Sequence, residues 1–415
     1  MFRSLQVRNF RLFLAGQGVS VAGTWMQNVA VGWLVLDLTH SGGALGLVIA
    51  ARFVPLLTLG PWGGLVADRR EKRRLLRLAA SCQIVIATVL GVLTIVHLIA
   101  VWSLAALIFA AGLVDVFDTP ARQTFINEIV GGDRLGNAIA LNSVLVNAAR
   151  IAGPAAAGVL ISAVGVGPCF IVNAASYVAV IAALVAMRPA ELMVSARASQ
   201  RPGQIRAGLR YVWHTPQLLG PLLLVAVSGA FAWEYQVTLP LFTSRAFDGD
   251  SRTYGAALAS VAAGSIVGGF AVAHRERIRV RTVALSAIAW GTMLGVTSLA
   301  PNLASAYALL AVVGVFTVAF NSVSKTVLQA ASAEQMRGRV MALWSIGWQG
   351  STVVGAPLVG FVGQDFGARY ALGLGGVATL LAGAALLAAS RGYTRNALPA
   401  KSLSRSVVES ETASM

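Results

Sequence analysis

Glu234 stands between Trp233 and Tyr235 inside a long apolar stretch. An ionisable side chain within a membrane-length run is costly and marks a functional position by default. A carboxyl held there can exchange a proton between two aqueous phases, so Glu234 is the first candidate for proton coupling; the alternative is a permanent ion pair with Arg150 or Arg52. Asp115, Asp118 and Arg122 lie three and four residues apart, which puts them on one face of a helix. Asp118 and Arg122 are expected to act in a gate together with Asp68 and Arg69, and the deeper Asp115 is a second candidate for coupling. Asp37 and Arg52 fall at comparable depth on neighbouring stretches and are expected to form an outer latch. Catalytic constellations are missing. The four His (His40, His97, His214, His274) have no ligand spacing, Cys82 and Cys169 sit inside apolar runs, and neither a Ser–His pairing nor a GxxxxGK phosphate loop occurs. The expectation is a non-enzyme without metal or cofactor.

Three apolar stretches carry polar stripes at helical spacing. Gln17, Ser20, Thr24 and Gln27 form one, with Asn28 at its edge; Ser228, Phe231, Tyr235 and Thr238 form a second; Thr317, Asn321 and Ser324 form a third, beside Phe316 and Phe320. Such stripes either bond one helix to another or line a wet cavity.

These residues must be positioned by membrane spans. The chain is 57% hydrophobic and only 12% charged, with a mean hydropathy of +0.74, against roughly a quarter charged in soluble domains. Runs of about 20 apolar residues cross a bilayer as helices. They are read at 12–36, 44–67, 75–99, 102–120, 136–162, 168–187, 217–242, 254–273, 282–300, 303–324, 339–363 and 368–390. Of the 32 Lys and Arg, only Arg245, Arg252 and Arg369 fall in the alternate gaps or at their edge, Arg52 and Arg150 lie inside spans, and Arg77 and Arg339 sit in the first turn of a span beside a basic gap. All others occupy every second gap or an end, so the positive-inside bias places both termini in the cytoplasm. The net charge of +16 is dispersed over short loops, which fits topology and anionic lipid and excludes a nucleic-acid face. The first apolar run is too long for a cleaved signal peptide.

The fold expected is an all-α membrane protein of twelve transmembrane helices in two pseudo-symmetric six-helix bundles, 1–188 and 217–391. A cytoplasmic linker at 189–216 joins them, and a polar, disordered tail follows at 392–415. In the linker, Ile205, Leu209 and Val212 share one helical face and Arg206 and Arg210 another, as in a helix lying on the membrane surface; a plain tether is the alternative. The halves echo each other. Arg122, Arg134 and Pro154 recur as Lys325, Arg337 and Pro357, and Gly60 and Gly64 recur as Gly264 and Gly268. Duplicated halves with a binding site between them near mid-membrane are a transporter design.

The run Gly64, Leu65, Val66, Ala67, Asp68, Arg69, Arg70, Glu71, Lys72, Arg73, Arg74 carries a Gly suited to close helix approach and an Asp at a helix end. It resembles the cytoplasmic signature of the major facilitator superfamily, departing at Glu71, where the family usually has a second Gly. Further stretches resemble that superfamily's drug and siderophore efflux branch. They are Leu38 to Ser41, Ala51 to Pro55, Arg337 to Met341, and the antiporter-like Arg150, Gly153, Pro154, Gly158, with Ala149 and Ala157 where the pattern has Gly. The resemblance implies the major facilitator fold, with spans one, four, seven and ten around a cavity. Gln17, Ser20, Thr24, Gln27, Asn28, Phe231, Tyr235, Thr238, Thr317, Phe320 and Asn321 would then line it. Glu234, Asp115 and Arg150 would serve proton coupling, and Gly64, Asp68, Arg69, Asp118, Arg122, Asp37 and Arg52 would serve gating.

The expected function is alternating-access transport of a small organic molecule, by proton-coupled efflux, through a monomer in the inner (plasma) membrane. The partners are substrate, protons and lipid. A uniporter or importer of the same fold, and a non-transporting sensor, are the alternatives.

Overall fold

The computed structural model describes residues 3–193, 204–273 and 279–393. Within a bilayer every backbone N–H and C=O must find a partner inside the protein, which leaves helices as the natural form for these apolar runs. The first six are α1 (Arg8–Thr39), α2 (Gly42–Arg69), α3 (Lys72–Ile95), α4 (Val101–Val130), α5 (Gly132–Val164) and α6 (Gly167–Ala186). A short α7 (Gln204–Trp213) precedes α8 (Pro216–Phe231), α9 (Tyr235–Phe247), α10 (Ser251–Ala273), α11 (Val280–Ser298) and α12 (Leu303–Ala331). The chain closes with α13 (Arg337–Ser345), a π-turn at Ile346–Gly350, α14 (Thr352–Asp365) and α15 (Ala368–Tyr393).

Among the described residues, eleven helical segments are long and apolar enough to cross a membrane, α8 and α9 counting together as one. The run expected at 339–363 is the remaining one. It is divided among α13, the π-turn and α14, so no single piece has the length of a span. Pro357 lies inside α14, past that break. The seventh expected span is broken as well. At the end of α8 the N–H groups of Ala232 and Trp233 both turn to the Ser228 carbonyl, at 2.9 and 3.0 Å, and a new helix starts after Glu234.

Helices α1–α6 pack on one another, chiefly α2 on α4, α1 on α5 and α6, and α3 on α6; α10 on α12 and α11 on α15 repeat the pattern in the second half. The halves meet along two seams, α2 with α14 and α5 with α10. At the first seam glycine is required: a Cβ on Gly46 would lie 2.2 Å from the Ala356 carbonyl oxygen, and one on Gly360 2.2 Å from that of Gly42.

Hydrogen bonds between the halves gather at the face away from the basic loops. Ser41 Oγ donates to Gln364 Oε1 at 2.6 Å and Arg252 Nε to Ser162 Oγ at 2.6 Å. Arg245 Nη2 donates to the His40 carbonyl at 2.6 Å. Arg369 completes the set within one half, donating to the Ser298 and Ala300 carbonyls at 2.9 and 2.8 Å, where α11 ends. The three arginines that break the charge map thus sit near helix C-termini, where cations are favoured.

Helix α7 forms as read from the linker, but its apolar residues divide. Val212 is fully buried and the Tyr211 hydroxyl accepts from the Ala333 N–H, docking α7 on the second half, while Leu209 and Trp213 are exposed. The side chains of Ile205 and Arg206 and the tail from 394 lie outside the described residues.

Candidate functional site

In the first half the charged residues satisfy one another. Arg52 of α2 donates from Nε and Nη2 to Asp115 Oδ2 of α4 at 3.0 and 2.9 Å, and from Nη1 to Asn28 Oδ1 of α1 at 2.6 Å. Gln83 of α3 donates to the other oxygen of Asp115 at 3.2 Å. One arginine and one carboxylate therefore tie four helices together. Asp37 takes no part: it is exposed at the opposite face from the basic loops, so the latch expected between Asp37 and Arg52 is not formed. Arg122 and Asp118 pair within α4, one helical turn apart. Tyr177 of α6 belongs to the same electrostatic group.

The signature loop is organised by neighbours of the expected residues. Lys72 and Glu128 form an ion pair that joins α3 to α4, and Arg73 donates to the Leu184 and Val185 carbonyls near the end of α6 at 2.7 and 3.1 Å. Arg69 is exposed and Asp68 half-buried. Gly64, expected to allow close helix approach, faces open space; a Cβ on Gly63 would instead meet the Val116 carbonyl oxygen at 2.1 Å. Glu71 adopts φ −62°, an ordinary conformation, so its replacement of the family's Gly imposes no strain.

The polar stripe of α1 faces α6, not the space between the halves. Asn173 Nδ2 donates to Gln27 Oε1 at 2.7 Å, the Thr24 and Tyr177 hydroxyls lie 3.2 Å apart, and Gln17 lines a crevice with Val180 and Ala183. Ser20 is buried and Asn28 is held by Arg52. Thr24, Gln27 and Asn28 bond helices together, and Gln17 and Ser20 are buried beside them. Their assignment to the cavity is therefore corrected.

In the second half, the Tyr235 hydroxyl lies 2.8 Å from Thr317 Oγ1 and accepts from Trp290 Nε1 at 3.0 Å. Phe320 is fully buried against Trp290 and Trp348, at centroid distances of 5.5 and 6.1 Å. Thr238 is buried and donates to the Glu234 carbonyl, while Phe231 and Asn321 are half-buried. Of the eleven expected cavity residues, Tyr235 alone lines the main cavity.

That cavity is small, about 40 Å³, and lies between α1, α5, α9 and α10, lined by Trp25, Arg150, Trp233, Tyr235, Gln236, Leu258, Val261, Ala262 and Ser265. Arg150 holds its guanidinium 4.9 Å from the ring of Trp25 and 5.9 Å from that of Trp233, cation–π contacts that bridge the halves. Its Nε is buried without a hydrogen-bond partner, and Arg150 forms no ion pair among the described residues. Glu234 is 3% exposed; it bonds to Thr352 of α14, and its Oε1 has no partner. The permanent pairing of Glu234 with Arg150 or Arg52 is not found. Trp25, Gln236 and Trp290 were missed as site residues; the i, i+4 spacing of Trp344 and Trp348 is the one signal in the sequence that could have marked an aromatic face.

Two helical bundles around a cavity with one closed face define a membrane transporter. A family model described as transmembrane secretion effector, of the major facilitator superfamily, matches residues 1–411, and the chain belongs to that family. It is similar to the staphyloferrin A transporter of Staphylococcus aureus (24% identity over 378 residues, 89% of this chain and 93% of that protein). It is also similar to the multidrug efflux pump Tap of Mycolicibacterium fortuitum (28%, 84% of each) and the enterobactin exporter EntS of Shigella flexneri (26%, 91% and 90%). Among solved structures, a bacterial homologue of the human lysosomal transporter Spinster, inward-facing and unoccupied, superposes with a TM-score of 0.74 at 15% identity, covering 95% of this chain and 99% of that one. This last likeness concerns the fold alone.

Proposed function

We propose that the protein is a proton-driven exporter of a small organic molecule, working by alternating access across a plasma membrane with its basic loops in the cytoplasm. One observation carries the reading: the two halves are tied together at the face away from the basic loops by the Ser41–Gln364, Arg245–His40 and Arg252–Ser162 contacts. Substrate would enter from the basic face, and release would need those contacts to part. The relatives named for siderophore and multidrug export support that direction.

Glu234 is the coupling residue in this reading. It caps the break between α8 and α9 and bonds to Thr352, just beyond the π-turn, so gaining or losing its proton alters the contact between two interrupted helices. A proton drives the change only by binding one conformation better than the other. Asp115, already paired with Arg52, and the Asp118–Arg122 pair are fixed within the first half and serve its integrity and the inner gate.

The test is flux in proteoliposomes with an imposed pH gradient, using a panel of organic compounds with and without an uncoupler. Glu234→Gln should abolish gradient-driven flux while leaving substrate exchange intact. Equal gradient-driven flux in E234Q and wild type would remove Glu234 from coupling. Wild-type flux indifferent to the uncoupler would favour a uniporter.

A further inference from the structure

The cavity holds a positive charge that the protein leaves unanswered. Arg150 is flanked by the indoles of Trp25 and Trp233 at 4.9 and 5.9 Å, its Nε has no acceptor, and no carboxylate pairs with it among the described residues. The nearest acid in sequence to this wall, Glu234, is bonded to Thr352 on α14. A buried guanidinium without an anion is an expensive arrangement, because desolvation is offset only by the ring faces. Arg52, Lys72 and Arg122, by contrast, each have a carboxylate.

A second cation extends the pattern. Trp233 lies 4.9 Å from Trp348, Trp348 stacks on Trp344 at 6.0 Å, and Lys325 Nζ sits 4.2 Å over the Trp344 ring, again with no acidic partner among the described residues. A rail of indoles therefore runs from Arg150 to Lys325 with an uncompensated positive charge at each end. Lys325 lies outside the cavity lining, and its charge adds to the positive field that favours anions.

We infer, building on the transport reading above, that this cavity, widened as the halves part, binds a planar aromatic organic anion, whose acidic group pairs with Arg150 while its ring system packs against the indoles of Trp25 and Trp233. Gln236 and Ser265 supply neutral polar contacts along the same wall.

The probes are 1-anilinonaphthalene-8-sulfonate and N-phenyl-1-naphthylamine, which share a ring system and differ by the sulfonate. Binding is read by energy transfer from tryptophan to probe, with the full chain in nanodiscs of neutral phosphatidylcholine and empty discs as reference. Simple hydrophobic partition favours the uncharged probe, so the expected order is the reverse of greasiness: wild type binds the sulfonate at least tenfold more tightly. Arg150→Gln should weaken the sulfonate at least tenfold and the neutral probe less than twofold. Arg150→Lys should keep the preference, and Trp25→Ala should weaken both probes. Equal affinities in wild type, or a preference that survives in R150Q, overturn the inference. If R150Q cannot be recovered folded, the wild-type ratio alone decides. Binding needs no gradient, so anion preference without flux would sink the transport reading and leave this site standing, whereas flux without anion preference would do the opposite.

Discussion

Gly46 gives the sharpest handle on the closed seam. In Gly46→Ala the new Cβ would sit 2.2 Å from the Ala356 carbonyl oxygen and 2.7 Å from Pro357 Cα, where ordinary contact begins at 3.4 Å. Both opposing atoms are backbone, so no side chain can rotate away, and α2 and α14 must separate by more than an ångström. Forcing a methyl group into a filled contact costs about 1–3 kcal/mol. If the cost falls only on the conformation in which this face is closed, the ratio of closed to open molecules drops roughly five- to hundredfold. Spin labels at His40 and Phe366, both exposed and flanking the Ser41–Gln364 contact, report the separation of the halves by double electron–electron resonance. Wild type should give a dominant short population and G46A a dominant long one. Gly64→Ala is the control, because nothing lies within 4 Å of its added Cβ; its distance distribution should match wild type. A folded G46A with the wild-type distribution, or an equal shift in G64A, would refute the steric reasoning.

Three smaller tests address the packing of each half. Arg52→Ala strands Asp115 and should lower stability by about 2–3 kcal/mol after allowing for the 34% exposure of that carboxylate, whereas Arg52→Met with Asp115→Leu should lose less than the sum of the single changes in detergent melts. Tyr235→Phe leaves the buried Trp290 N–H without its acceptor and should cost about 1–3 kcal/mol in the same assay. Asp250 accepts from the Thr253 N–H and hydroxyl at the start of α10, and these bonds hold its carboxyl below the usual carboxylate range. Its contribution is therefore present above the unfolded value of about 4 and fades as pH falls through the lower folded value; Asp250→Ala should cost about 1 kcal/mol near neutral pH, and Asp250→Asn much less.

Much of the fold was legible because lipid leaves the backbone little choice: long apolar runs had to be helices. The direction of the polar stripes was not legible. The period of Gln17, Ser20, Thr24 and Gln27 identifies a face of α1, yet a neighbouring helix with Asn173 and Tyr177 satisfies that face as well as water would. Arg150 was visible as a costly charge, but its setting between Trp25 and Trp233 depends on contacts between distant segments, which no local pattern carries. The same holds for Arg52, whose partner was sought at the depth of Asp37 and found at Asp115. The roles of Arg245 and Arg369 arise from carbonyls at helix ends and that of Arg252 from the hydroxyl of a distant Ser162, partners that sequence does not display.

The repeat preserves backbone shape while its polar chemistry diverges. Arg122 and Lys325 occupy equivalent positions, but one pairs with Asp118 and the other stacks on Trp344. Pro154 and Pro357 are likewise equivalent, yet α5 runs unbroken from Gly132 to Val164 while the partner rod is divided by a π-turn. The first half is cross-linked by ion pairs and amide bonds through four helices, which resist bending. The second half carries two interruptions of the helix ladder, and they touch: Glu234 bonds to Thr352, and Trp233 packs 4.9 Å from Trp348. Helices bend where their ladder is already open. Any rocking of the halves is therefore absorbed chiefly in the second half, beside Glu234, among the described residues the one buried carboxyl with an unpartnered oxygen, and beside Trp233 at the cavity.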